Sequence, residues 1–91
     1  MEYTIDLRNV KEPESMHDII EYSLPVPEYY GRNLDALYDV LTSMPAGTII
    51  NIYMDSESDI PYLKRLTDVF RYAECDSDNL DINFFGPEQL S

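Results

Sequence analysis

The run Thr48-Ile49-Ile50-Asn51-Ile52-Tyr53-Met54 restricts the possible folds more than any other stretch of the chain. It is rich in β-branched residues and almost continuously apolar, the composition of a strand apolar on both faces. Strands of that kind usually lie inside a parallel sheet. Two alternating stretches stand on either side of it. Tyr3, Ile5 and Leu7 share one face of residues 2–7, and Leu80-Asp81-Ile82-Asn83-Phe84-Phe85 alternates in the same way. Both read as half-buried edge strands, the second closed by Gly86-Pro87.

Helical patterns fill the intervals. Pro13 opens the first helix at a position that tolerates a missing N–H. Met16, Ile19, Ile20 and Leu24 follow at amphipathic spacing, with Glu14 in the first turn, where the helix dipole favours an acid. Pro25 and Pro27 stop this helix. A second runs over residues 33–43 until Pro45, Ala46 and Gly47 break it. A third opens at Pro61, with Leu63, Leu66, Val69, Phe70 and Ala73 as its buried stripe. Asp76-Ser77-Asp78-Asn79 reads as a turn, and residues 55–59 as an acidic loop with at most one helical turn. The expected fold is α/β, a small three-stranded parallel sheet packed with helices in the order βααβαβ. Helical crossovers imply parallel pairing and right-handed connections, with the 48–54 strand in the middle. The 91 residues are expected to make a single domain over 1–91, of modest stability.

Between the first two helices lies a loop, Pro27-Glu28-Tyr29-Tyr30-Gly31-Arg32, which turns at Gly31. We assign Gly31 to backbone freedom rather than to contact. Asn33 suits a helix N-cap. From there a 100° step puts Leu34, Leu37, Val40 and Leu41 on one side, with Leu34 towards the rim. Asp35, Asp39 and Thr42 fall on the other side, and Tyr38 at the border. Like charges at this i,i+4 spacing repel by roughly 0.2–0.5 kcal/mol. Only Asp35 is close enough to the helix start for the dipole to offset much of that. Acids flanked by tyrosines look like an anchor patch for a cationic partner.

Composition narrows the partner. Eighteen acids oppose six basic residues, a formal net charge of −12. That disfavours nucleic acid as a direct ligand, because phosphates would be repelled, and favours a basic protein bound quickly and in a salt-sensitive way. One cysteine, Cys75, excludes an internal disulfide and fits a reducing compartment. With no signal-peptide pattern and no membrane-length apolar run, the expectation is a cytoplasmic protein.

Enzyme chemistry finds little support. Asp35 and Asp39 could in principle pair as acid and base, but that work needs one pKa raised by burial, and their face should be wet. His17 reads as a surface or boundary histidine, and Cys75 as a buried or boundary thiol. No Gly-rich phosphate loop and no zinc-type cluster is present, so no cofactor or metal is expected.

The run Pro27-Glu28-Tyr29-Tyr30-Gly31-x-Asn33-Leu34-Asp35-Ala36-Leu37-aromatic-Asp39-x-Leu41-Thr42, preceded by Leu24, resembles the signature of the barstar family. These are small intracellular inhibitors of bacterial ribonucleases such as barnase. About sixteen contiguous positions carry the likeness, with a weaker match at Val69-Phe70-Arg71. The resemblance implies a barstar-like fold and a protein that occludes a ribonuclease active site with this loop and helix, as an immunity protein or antitoxin. It implies Asp39 as a phosphate mimic at the centre of the contact and Asp35 on a neighbouring basic group. Tyr29 and Tyr30 would pack on the enzyme. Tyr38 stands where relatives often have tryptophan, and Thr42, Ser43 and Met44 form the lower rim. Asn33 and Leu34 complete the expected contact set. The implied partner is a basic secreted or toxin ribonuclease in a 1:1 complex, with no membrane or direct nucleic-acid contact. The run departs from its relatives at Arg32, where an acid is common. Tyr72 likewise stands where the best-studied member has an acidic contact. An alternative reading uses the same acidic helix as a binding module for a basic protein that is not a nuclease.

Overall fold

The structure, a computed structural model, describes residues 1–28, 30–54 and 61–86. Its elements follow the order β1 (Glu2–Asp6), α1 (Pro13–Ser23), α2 (Leu34–Thr42), β2 (Thr48–Tyr53), α3 (Pro61–Asp76) and β3 (Leu80–Phe85). The strands form one parallel sheet in the order β1-β2-β3, with Ile5 opposite Ile52 and Ile50 opposite Ile82. The expected α/β architecture and the central place of β2 are both observed. The expected loop over residues 55–59 lies outside the described residues.

Both crossovers step across the sheet in the same direction. Two right-handed connections of that kind place their helices on the same face. Strand parity agrees. Ile5 and Leu7, Thr48, Ile50 and Ile52, and Leu80 and Ile82 are buried with Met16, Ile20, Leu37, Leu41, Leu66 and Phe70. The opposite face carries a polar row, Asn83 donating to Asn51 at 3.1 Å and Asn51 donating to Glu2 at 2.6 Å. Beside that row, Tyr53 stacks on Phe85 with ring centroids 5.1 Å apart, and the Arg8 guanidinium lies over the Tyr53 ring. The apolar residues on the second side of β2 therefore meet cross-strand neighbours rather than a second helical layer.

Two details differ from the sequence reading. The helical bond pattern of α3 reaches Ser77, whose N–H donates to Ala73 at 3.0 Å, so the turn starts later than expected. Cys75 is exposed rather than buried or at the boundary, because the buried stripe of α3 runs through Leu63, Leu66, Thr67, Phe70 and Ala73.

Asn33 caps α2 as expected, its Oδ1 accepting from the Ala36 N–H at 2.8 Å. Asn33→Ala should lower stability by about 1 kcal/mol. Chemical denaturation would show it, and a change near zero would mean that solvent replaces the cap without loss.

Candidate functional site

Helix α2 is amphipathic in the expected sense. Leu37 and Leu41 are buried, Leu34 and Val40 are half-buried, and Asp35 and Asp39 are exposed together on the other side. Among the described residues neither carboxylate makes a hydrogen bond or an ion pair. Other acids are committed inside the molecule: Asp6 to Arg8, Asp18 and Glu21 to Arg32, and Glu74 to the Ile82 N–H. Two uncommitted charges a single helical turn apart are a ready acceptor set for Arg or Lys donors.

The helix surface continues onto α3. The Tyr38 hydroxyl donates to Asp76 Oδ2, and that bond, chiefly, holds the phenol above its usual pKa. A third carboxylate therefore joins the acidic surface. Asp76, which local spacing puts in a turn, closes α3 instead. Thr42 Oγ1 folds back on the Tyr38 carbonyl at 2.9 Å, which leaves its methyl group and the exposed Ser43 at the lower end of the helix.

A groove of about 670 Å³ runs along α2 between the loop and the helix's C-terminal end. Pro25, Pro27 and Tyr30 form one wall, Val40 and Met44 the other, and Asp39 stands at its edge. An apolar channel with one carboxylate at its lip suits a cationic side chain with a flat or aliphatic body.

Tyr30 and Met44 need correction as free contact surface. They are 8% and 5% exposed, core residues that show only a groove-facing edge. Tyr29 lies outside the described residues. Asn33 is exposed and occupied as a cap, and Leu34 sits at the rim.

His17 is the largest departure. It was expected at the surface or boundary, yet it is 2% exposed. Its Nδ1 lies 2.8 Å from the Tyr30 hydroxyl and its Nε2 2.7 Å from the Tyr62 hydroxyl. Two phenols satisfy both ring nitrogens, which removes most of the penalty of burying imidazole. The signal for this was present: His17, Ile20 and Leu24 share the spacing of one buried helical stripe.

Gly31 also differs. Its φ is not positive; the left-handed residue is Arg32, at φ 54°. A non-glycine residue there costs about 1–2 kcal/mol. Arg32 offsets this cost by binding Glu21 and Asp18 and donating to the Glu14 carbonyl at 3.1 Å. Gly31 is required for closeness instead. A Cβ on it would lie 3.1 Å from Asn33 Nδ2 and 3.4 Å from the Ala36 Cβ, against the cap.

The model of the family described as Barstar (barnase inhibitor) matches residues 1–85. The chain belongs to the barstar family. A relative from Bacillus subtilis (strain 168), named "Putative ribonuclease inhibitor YrdF", is 53% identical over 38 residues. That match spans 42% of this chain and 42% of the relative, so the chain covers less than half of the relative's length. Both names, that of the family and that of the relative, are names of inhibitors. In this barstar-family member the positive charge of Arg32 is taken up by α1, so the departure at that position leaves the α2 acids unopposed. Tyr72, the other departure, is exposed on α3. Among the described residues no group of three or more His, Cys, Asp or Glu could hold a metal ion, and no helix is long and apolar enough to cross a membrane.

Proposed function

We propose that this protein inhibits a basic ribonuclease by filling its active-site cleft with the acidic face of α2 and the adjoining loop. One observation carries the reading: Asp35 and Asp39 stand exposed and unpaired, among the described residues, on a helix whose other face is locked in the core. Asp39 takes the place of an RNA phosphate and accepts paired N–H donors from the enzyme's cationic residues. Asp35 engages a neighbouring basic group. Tyr38, Thr42 and Ser43 supply the flank, Asn33 and Leu34 the rim, and Tyr29 packs on the enzyme. Tyr30 and Met44 act from behind, as groove walls. The helix is ordered by its own core packing, so little conformational freedom is lost on binding. The complex is 1:1, the protein acts as a single cytoplasmic domain, and its role is immunity against a secreted or toxin ribonuclease.

The test is a pull-down from the native host with the purified chain as bait. Ribonuclease assays of the captured protein follow, with and without the chain. Capture of a basic ribonuclease that loses activity stoichiometrically supports the proposal. Capture of a basic protein that is no nuclease, with no protection of RNA, overturns it in favour of the binding-module reading. Charge adds a second expectation. Association should slow several-fold between low and physiological ionic strength, as measured by stopped-flow mixing, because steering of a −12 protein onto a basic one is screened. A salt-independent rate would contradict steering.

A further inference from the structure

Asp76 stands where its own helix disfavours it. It is the last residue of α3, and the last turn of α3 carries no basic side chain. A carboxylate there meets the negative end of the helix dipole. Among the described residues Asp76 has no ion pair to offset this, and the donor it does have is the Tyr38 hydroxyl, across from α2. Glu74, two residues earlier, accepts the Ile82 N–H of the edge strand β3 at 2.7 Å. Glu74 therefore serves the sheet, whereas Asp76 serves a side chain on the acidic face.

Tyr38 has a ring half-buried against the core and a hydroxyl within electrostatic reach of Asp39. A free phenol can swing its O–H and present either a donor or an acceptor to a neighbour. The bond to Asp76 removes that choice. That bond, then desolvation, then the charges of Asp76 and Asp39 hold the phenol above its usual pKa, so its proton is retained at neutral pH. With the proton committed to Asp76, the oxygen has only lone pairs to offer to any other group.

We propose that Asp76 is a positioning residue for the binding face: it holds the Tyr38 proton, so that Tyr38 meets the partner as a hydrogen-bond acceptor continuous with Asp35 and Asp39. The partner group seated against Tyr38 is then an N–H donor, as from Arg or Lys. A carbonyl or carboxylate there would face a lone pair and be rejected. The purpose rests on the ribonuclease-inhibitor reading; the placing of the proton does not. An acceptor oriented beforehand loses less freedom on binding, so its effect falls on dissociation.

The free protein tests the placing. With tyrosine labelled at 13Cζ, the NMR signal of Tyr38 reports whether its O–H donates, and Tyr22, 93% exposed, is the control. Asp76→Ala should move the Tyr38 signal towards that of Tyr22. Asp76→Asn, which keeps an acceptor, should move it much less. A Tyr38 signal unmoved by Asp76→Ala overturns the inference. The ribonuclease captured in the pull-down tests the purpose. Tyr38→Phe should speed dissociation about thirtyfold, because a partner donor is left unpaired, and Asp76→Ala about tenfold. Asp76→Asn should restore dissociation to within about threefold of wild type, although both Asp76 variants lose the same charge and slow association alike. The double variant Asp76→Ala/Tyr38→Phe should match Tyr38→Phe within about twofold, since Asp76 acts through Tyr38. Slower dissociation in Tyr38→Phe would mean that an acceptor faces the phenol. No rescue by Asp76→Asn, or additive effects in the double variant, would mean that Asp76 acts on the partner directly. Faster dissociation of Asp76→Ala with a matching fall in its thermal midpoint would make Asp76 a residue of the fold. Each of these overturns the assignment. If no ribonuclease is captured, the inhibitor reading fails, while the NMR signal still decides whether Asp76 fixes the phenol.

Discussion

Asp39→Ala is expected to weaken binding of the proposed ribonuclease partner by more than ~2 kcal/mol, about thirtyfold or more in Kd, and to leave the fold intact. The two halves of that statement have separate causes. Binding suffers because Asp39 stands at the lip of the groove, exposed, without an internal partner among the described residues, and beside the half-buried Tyr38. A carboxylate desolvated against cationic donors leaves those donors unpaired when it is removed, and that penalty adds to the lost attraction. The fold survives because no hydrogen bond or ion pair within the described residues is lost with the carboxylate. Removing it also relieves the repulsion from Asp35 one turn away, by a few tenths of a kcal/mol. Asp39→Asn separates charge from shape. It should retain most of the loss, because the amide keeps the size but cannot accept paired donors as a carboxylate does. Titration calorimetry on the captured enzyme, with thermal denaturation of the free variants, reads both halves. A binding change within error of zero would remove Asp39 from the contact.

Leu37→Ala, two residues earlier on the same helix, should do the opposite. Leu37 is fully buried among the residues that join α2 to α3 and the sheet. Truncating such a leucine costs about 2–5 kcal/mol, part transfer free energy and part residual cavity. For a domain of this size that is a large share of the total stability. The urea midpoint should drop sharply with little change in slope, since the surface exposed on unfolding is nearly the same. Whatever fraction stays folded should bind almost normally, because Asp35 and Asp39 are untouched. A loss under about 1 kcal/mol would mean that α2 can collapse onto the gap. In that case the rigidity on which the acidic surface depends would be in question.

Much of the site was legible from local spacing. The Asn33 cap follows from an amide side chain just ahead of the helix, and the buried Leu37 and Leu41 and the exposed pair Asp35 and Asp39 follow from a step of 100° per residue along its nine residues. The strands followed from alternation, and β2 from its continuous apolar character. Misreadings arose where a residue's environment comes from distant chain. His17 looked peripheral because nothing near it in sequence offers a partner; its partners are 13 and 45 residues away. One of the two loop tyrosines was expected to fold back on the core, but local spacing could not say which; Tyr30 does, its hydroxyl against His17. Gly31 invited a turn argument, yet the unusual backbone belongs to Arg32, held by acids on another helix.

Order and type of the elements, the acidic amphipathic helix and its cap were decided by the sequence alone, because periodicity and capping act over one or two turns. The tertiary structure decided which polar groups are occupied and which are left for a partner. Asp18, Glu21 and Asp76 are engaged by residues 11 to 38 positions away, while Asp35 and Asp39 are engaged by none of the described residues. Hydrogen bonds and ion pairs form wherever the fold brings donors and acceptors together, and no one-dimensional spacing encodes contacts over that separation.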